Sequence, residues 1–515
     1  MIPVLSPQQS ASWDQKAAAA GVELATLMES AGRAVATVLA DRYAARMRDG
    51  VLITAGPGNN GGDGWVVARA LHRLGVPVWV SAAPGARSDL NERVAGLARA
   101  EGVREVAADG PWPNIGLAVD ALLGSGASGA PRAPMAALLQ RISDLEVPIV
   151  AIDGPTGVDL ASGNVHGPAR ADLSITFGGA RRGHLLARDE TGTLIVTDIG
   201  HPPADPAWPA LVTDAEAAGW LRRLLSRDHK GERGRIVIVG GDAGMTGAVR
   251  LAARSAFAAG AGLVHAVAPP ATVAALIQAE PDLQTLAHPF DQRPTGALLE
   301  LIGRADVVVI GPGLGRGDGR RSLVSSLVAA ARAVVIDADA LVAFQGAVAE
   351  LHALASERPV VITPHPGEFR ALFPALAPVR ELDPWAAASS AADETGATVL
   401  LKGVPTVVAR TARAQLTIAA GNPGLATGGS GDVLSGLVGT ALAHGLAPEI
   451  AAAFGAQALG RAADLGARRV SARALRPMDV IAALPDLWRE WEVRRRAPPP
   501  PRPPILLELP RPLTV

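Results

Sequence analysis

Short runs of Val, Ile and Leu recur along the chain, and many end in a polar or glycine-rich cluster. In the first part they cover residues 51–54, 76–80, 117–120, 148–153 and 173–177. In the second part they cover 235–239, 263–267, 306–310, 333–337, 359–363 and 398–402. Continuous β-branched runs lack the in–out alternation of a half-exposed sheet. They predict strands buried on both faces, and hence parallel sheet. Pro77 cannot donate to a ladder, which argues for a sheet edge at the 76–80 run. Ala-, Leu- and Arg-rich segments such as 64–74, 247–259 and 318–331 predict the crossover helices. The pattern therefore gives an α/β class with two layered α/β domains.

The boundary between them is expected within residues 200–227. His201 opens a proline-rich stretch there that is unsuited to helix, and His229 to Gly234 opens a new module. The expected domains are 1–212 and 222–490. Residues 493–515 carry a basic proline tract, Arg494 to Pro504, and are expected to form a disordered or polyproline tail.

Composition narrows the function classes. Hydrophobic residues make up 49% and charged residues 19% of 515 residues, ample for buried cores in each domain. The formal net charge of -1 offers no basic field for nucleic acid. No cysteine is present, which excludes disulfides, thiolate nucleophiles and Cys-ligated metals and fits a reducing cytoplasm. The N-terminus lacks a signal-peptide pattern, and no uninterrupted apolar stretch reaches the ~18 residues of a membrane span. Small-molecule substrates are the expected partners, with no nucleic acid and no membrane. A cytoplasmic homo-oligomer is expected.

In open α/β sheets, ligands bind beyond the carboxyl ends of the strands. Here those ends carry Gly56 to Asp63, Asp120, Asp153, Gly311 to Gly315, Asp337 to Asp339, Thr363 to Glu368 and Lys402-Gly403. The most informative stretch runs from Asn422 to Asp432, a glycine-rich turn that ends in one carboxylate. Leu434, Leu437, Val438, Ala441 and Leu442 follow at helical spacing, with Gly445 as a C-cap. A helix N-terminus attracts anions, whereas Asp432 repels them unless it serves as a base. That combination suits phosphoryl transfer to a hydroxyl.

The clusters of the second half resemble the ADP-dependent NAD(P)H-hydrate dehydratases of the ribokinase-like superfamily. The resemblance rests on His229-Lys-Gly, Gly240-Gly-Asp with Thr246-Gly-Ala248, Gly311-Pro-Gly-Leu-Gly315, Asp337-Ala-Asp-Ala-Leu341, Thr363 to Phe369, Lys402-Gly403 and Gly428 to Asp432. It implies repair of hydrated NADH and NADPH. ADP phosphorylates the added hydroxyl, phosphate leaves, and AMP is the other product. By resemblance, Asp432 contacts the hydroxyl and acts as base. Ala248, Gly315 and His365 line the hydrate site with it. Lys402, Gly403, Val404, Pro405, Thr406 and Gly431 hold the nucleotide. Asp337 and Glu368 are candidates for Mg2+ or water-mediated metal contacts.

The first half resembles the NAD(P)H-hydrate epimerases, which implies a Rossmann-like sheet. The resemblance rests on Leu27 to Gly32, Gly56 to Gly64, Asp120 to Gly126 and Asp153-Gly-Pro-Thr-Gly157. It implies a potassium site at Asn60, Asp120 and Thr156. It also implies a hydrate site made by Asn59, Asn60, Gly61, Gly62 and Asp63, by Gly124, Ser125, Gly126, Ala127, Ser128, Gly129 and Ala130, and by Asp153. Asp153 is the expected acid–base group, letting the ring carbon lose and regain its hydroxyl in either configuration. The family has Ser where Thr156 stands, and the hydroxyl survives. It has Lys where Arg181 stands, and Arg is a poor proton carrier. The alternative for the whole chain is a ribokinase-like vitamin-precursor kinase with a non-catalytic, binding N-terminal domain.

Overall fold

The structure is a computed structural model that describes residues 1–498, 500 and 502–513. The chain divides into two compact units. Ile2–Trp208 and Pro500–Pro512 form the N-terminal unit, and the chain from Pro209 through helix Pro477–Arg496 falls in the C-terminal unit.

The N-terminal unit is built on an 8-stranded sheet. From one edge its strands are Ile505–Leu509, Thr193–Thr197, Leu173–Phe177, Ile149–Ile152, Leu117–Ala121, Val51–Ala55, Val78–Ala82 and Arg104–Glu105. All neighbours pair parallel except the first two strands. The apolar runs are fully buried in Val51–Ala55, Leu117–Ala121, Ile149–Ile152 and Leu173–Phe177, as doubly covered strands require. The expected edge strand lies one place in from the edge, beside Arg104–Glu105. It starts at Val78, so Pro77 stays outside it, and the Pro77 carbonyl accepts from Val51 N–H at 2.9 Å.

The C-terminal unit repeats the plan. Its strands run in the order Gln284–Ala287, Leu263–Ala268, Arg235–Val239, Val307–Ile310, Val334–Ile336, Val360–Ile362, Thr398–Leu401, Thr406–Ala409, Leu416–Ile418 and Ala210–Leu211. The predicted strands pair parallel, and an antiparallel pair, Thr406–Ala409 and Leu416–Ile418, extends the sheet past Thr398–Leu401. The helix predicted after Asp432 is Ser430–Ala443, with Leu434, Leu437, Val438, Ala441 and Leu442 all buried. It packs on helices Thr246–Ala258 and Pro448–Val470, and Thr440 Oγ1 donates to the Ala256 carbonyl at 3.3 Å. Gly445 follows its end in the left-handed region, at φ +86°.

Each sheet has one switch point. In the N-terminal unit, strand order reverses between Val51–Ala55 and Leu117–Ala121; in the C-terminal unit, between Arg235–Val239 and Val307–Ile310. The loops that leave these strands press together. A Cβ on Gly56 would lie 1.8 Å from the Leu122 carbonyl oxygen, and one on Gly240 would lie 2.0 Å from that of Pro312. Only glycine permits either approach. The crevices at these points are where an open α/β sheet binds its ligand.

The C-terminal tail departs from expectation. Helix Pro477–Arg496 reaches into it, and Ile505–Leu509 is an ordered strand antiparallel to Thr193–Thr197. The prolines favour a polyproline tail, but the stretch after them is mostly apolar, with exposure alternating along it, and can cover a sheet edge. The Arg42 guanidinium pins it by donating to both Glu508 oxygens, at 3.1 and 2.5 Å. Tail residues 499, 501, 514 and 515 lie outside the described residues.

Candidate active sites

A cleft of about 600 Å³ opens at the switch point of the N-terminal sheet. Asn59, Asn60, Asp63, Gly124, Ser125, Gly126, Ala127 and Asp153 line it, together with Arg181. Gly61 and Gly62 instead pack beneath the loop, against Gly56 and Met28. Ser128, Gly129 and Ala130 are exposed and outside the cleft lining.

Asp153 follows strand Ile149–Ile152 with φ +64°, a strained backbone for a residue with a Cβ. The strain aims a buried carboxylate at the cleft. Its Oδ2 accepts from Ser125 N–H at 2.7 Å, and its Oδ1 from Thr176 Oγ1 at 3.0 Å. Arg181 Nη2 lies 3.4 Å from Oδ1. Burial pushes this carboxyl up, but Arg181, His184 and Ser125 outweigh it and hold Asp153 below the usual carboxylate range. The His184 tautomer is fixed. Its Nδ1 accepts from Arg181 N–H at 3.0 Å, so Nε2 carries the proton and donates to the Asp153 carbonyl at 2.6 Å. Burial keeps that imidazole neutral, with a pKa of about 4.

Beside the cleft, Asp120 is buried and tied to Thr156. Thr156 N–H and Oγ1 donate to its two oxygens at 2.7 and 2.8 Å. Leu123 N–H donates to Thr156 Oγ1 at 3.0 Å, and next in the loop Gly124 packs on Asn60. Both polar atoms of the Asn60 side chain are buried without a hydrogen-bond partner. A buried amide left unpaired is costly unless something else satisfies it.

In the C-terminal unit the predicted residues form two adjoining groups. One sits at the switch point. Gly315 N–H donates to Asp339 Oδ2 at 3.1 Å, Arg320 Nη2 donates to Asp242 Oδ2 at 2.7 Å, and Ala248 faces the Gly311–Gly315 loop through Gly313. The other centres on Asp337, which is fully buried. Lys402 Nζ donates to its Oδ1 at 2.8 Å, and Ser435 Oγ donates to its Oδ2 at 2.5 Å. The helix N-terminus lies over this pair, since a Cβ on Gly431 would stand 3.3 Å from Lys402 Nζ and 3.6 Å from Asp337 Oδ2. Thus Lys402, expected to hold nucleotide, is first of all the counter-ion of Asp337. The rest of the 402–406 turn is exposed at Gly403 and Val404, and Thr406 Oγ1 closes it on the Gly403 carbonyl at 3.2 Å.

Charge in this group is unevenly matched. Burial, then Asp337, pushes the Asp432 carboxyl up to about 7, against the pull of Lys402. Burial likewise lifts Glu368 to about 7. Asp337 stays below the usual range because Lys402 and Ser435 outweigh its burial. Burial pulls the Lys402 ammonium down, but Asp337, Glu368 and Asp432 carry it above its usual range. His365 caps helix Pro366–Leu372: its Nδ1 accepts from Gly367 N–H at 2.9 Å and Glu368 N–H at 3.3 Å. Its Nε2 therefore carries the proton and lies 3.3 Å from Glu368 Oε1.

Sequence reasoning missed Ser435, Thr176 and His184. Ser435 had a signal, lying three residues after Asp432 on one helix face. Thr176 and His184 had none, because only the sheet pairing and the turn after Phe177 bring them to Asp153.

Comparison with known proteins covers both units. The family described as NAD(P)H-hydrate dehydratase matches residues 236–486, and the family described as YjeF-related protein N-terminus matches residues 24–183. The bifunctional NAD(P)H-hydrate repair enzyme Nnr of Escherichia coli is 36% identical over 481 residues, covering 90% of this chain and 89% of its own. The Moorella thermoacetica enzyme of the same description is 36% identical over 503 residues, covering 90% and 92%. Among solved structures, an ADP/ATP-dependent NAD(P)H-hydrate dehydratase from Bacillus subtilis aligns with a TM-score of 0.46 at 23% identity, covering 54% of this chain and 98% of that one.

Proposed function

The chain belongs to the bifunctional NAD(P)H-hydrate repair enzymes, and from that premise we propose how its residues divide the work. The N-terminal cleft interconverts the two hydrate epimers. The C-terminal group removes water from the S epimer, with ADP as phosphoryl donor. The matches across both halves do not favour a kinase with an idle N-terminal domain.

The observation that carries the C-terminal assignment is the position of Asp432. It lies in the first turn of helix Ser430–Ala443, beside a lysine already committed to Asp337. Asp432 takes the proton of the hydrate hydroxyl as that oxygen attacks the β-phosphorus of ADP, and AMP leaves. The helix N-terminus and Lys402 face the phosphoryl charge. The new phosphate ester then breaks its C–O bond, the neighbouring ring carbon loses a proton, and NADH or NADPH is restored. Phosphate is a far better leaving group than hydroxide, which is the reason for using a nucleotide. Ala248, Gly315 and His365 line the hydrate side of the site, and Gly403, Val404, Pro405, Thr406 and Gly431 the nucleotide side.

In the N-terminal cleft, Asp153 is the catalytic carboxylate, with Asn59, Asn60, Asp63 and Gly124 to Ala127 around the hydrate. Potassium fits Asn60, Asp120 and Thr156, because the unpaired Asn60 amide has an oxygen to give and Asp120 supplies charge. When bound, the cation would neutralise Asp120 and set the Leu122–Gly124 loop against the substrate. Magnesium would be held by Asp337 and Glu368 through water together with the ADP phosphates, since the described residues hold no group of three or more His, Asp or Glu side chains that could bind a metal alone.

No helix among the described residues is long and apolar enough to cross a membrane. A cytoplasmic location and a homo-oligomeric assembly complete the proposal. Its test is racemic hydrate with ADP and the purified full-length chain. Recovery of NADH absorbance from both epimers supports the reading; no recovery contradicts it.

A further inference from the structure

The cleft of the N-terminal unit holds a second carboxyl group in a different environment from Asp153. Asp63 projects from helix Asn59–Arg73 and lines the same cleft. Among the described residues its carboxyl has no hydrogen-bond or ion-pair partner. Leu24, Leu27, Met28 and Ala31 supply an apolar wall to that cleft. The other ionisable groups lining it are already engaged. Asp153 is held by Ser125, Thr176 and Arg181, and Asp14 Oδ1 accepts from His201 Nε2 at 2.8 Å. Arg181 also donates to the Phe177 and Gly179 carbonyls, at 3.3 and 2.6 Å, and a guanidinium does not give up its proton.

The chemistry needs a proton carrier. Water adds to an enamine at the carbon next to nitrogen, so the hydrate is a hemiaminal. Breaking its C–O bond gives a ring iminium cation, and the oxygen must take a proton to leave as water. We propose that Asp63 is that proton carrier, and that Asp153 remains an anion that steadies the cationic ring. Asp63 gives its proton to the departing hydroxyl as the nitrogen lone pair forms the N=C bond. Water then adds to the iminium carbon from either face and returns a proton to the Asp63 carboxylate. Atoms and charge balance, and the enzyme ends as it began. Burial, with Asp153 and then Asp14 nearby, pushes Asp63 well above the usual carboxylate range, as a proton donor requires.

The inference rests on the cleft being the epimerase site, so the test must separate the two. Racemic hydrate with excess ADP gives the full-length enzyme two phases: S epimer is consumed first, and the rest at the epimerisation rate. For Asp63→Asn we expect an unchanged first phase and a second-phase kcat lower by about a hundredfold or more, a far larger change than in KM. Asp63→Glu should recover part of the loss. The wild-type second phase should fall as pH rises through the Asp63 pKa, a profile that a packing role would not produce. An Asp63→Asn enzyme within about threefold of wild type in the second phase would overturn the proposal, as would a wild-type second phase indifferent to alkaline pH. If the wild type lacks a catalysed second phase, both this inference and the epimerase reading fail. If Asp153→Asn abolishes that phase and Asp63→Asn does not, this inference alone fails.

Discussion

The two sites share a plan and differ in where the positive charge goes. Each lies at the switch point of a largely parallel sheet, where two loops meet across a glycine. In the N-terminal cleft the buried cation, Arg181, faces the Asp153 carboxylate, and Asp153 stays ionised. In the C-terminal site the cation, Lys402, is paired with a different carboxylate, Asp337. Asp432 is left in a partly buried place beside more negative charge than positive, and its pKa rises to about 7. The same residue type is thus held as an anion at one site and titrates near neutral pH at the other. Ordinary partner choice is enough to set the difference.

The sharpest break in this comparison is Asp432→Asn. The amide keeps the shape and cannot take a proton, so ADP-dependent repair should fall by about two to four orders of magnitude while nucleotide binding persists. Equilibrium binding and single-turnover rates check both halves. Next is Lys402→Met, which leaves Asp337 buried without its counter-ion and should destabilise the C-terminal unit by about 3–5 kcal/mol in denaturant titration. It should also raise the Asp432 pKa further, because Lys402 is what pulls it down.

A smaller effect follows from pH alone. A base must be deprotonated, so dehydratase kcat should rise about tenfold per unit below the Asp432 pKa of about 7 and level off above it. Smallest is removal of the tail strand Ile505–Leu509. The Arg42–Glu508 pair is partly exposed and contributes about 1 kcal/mol or less. Losing it together with the edge strand should lower the melting temperature of the N-terminal unit by a few degrees and leave dehydratase kcat unchanged.

Much of this was legible in the sequence. Doubly buried strands such as Leu173–Phe177 and Arg235–Val239 show as unbroken apolar runs, and the glycine-rich loops sit at their ends. The helix after Asp432 showed in its spacing. What stayed hidden was pairing. Nothing local ties Lys402 to Asp337, 65 residues away, or Thr176 to Asp153, 23 residues away. Those contacts decide which carboxylate is charged, and they exist only once the strands are laid side by side. Short elements such as Ile505–Leu509 were masked by the prolines before them.

The opposite proton roles proposed for Asp432, which takes a proton, and Asp63, which gives one, can be read in one experiment: the pH dependence of the two phases of racemic-hydrate repair by the full-length enzyme. The account predicts that the first phase rises with pH through about 7, as Asp432 loses its proton. It predicts that the second falls toward alkaline pH, as Asp63 loses its own. Two phases that rise and fall together would contradict it.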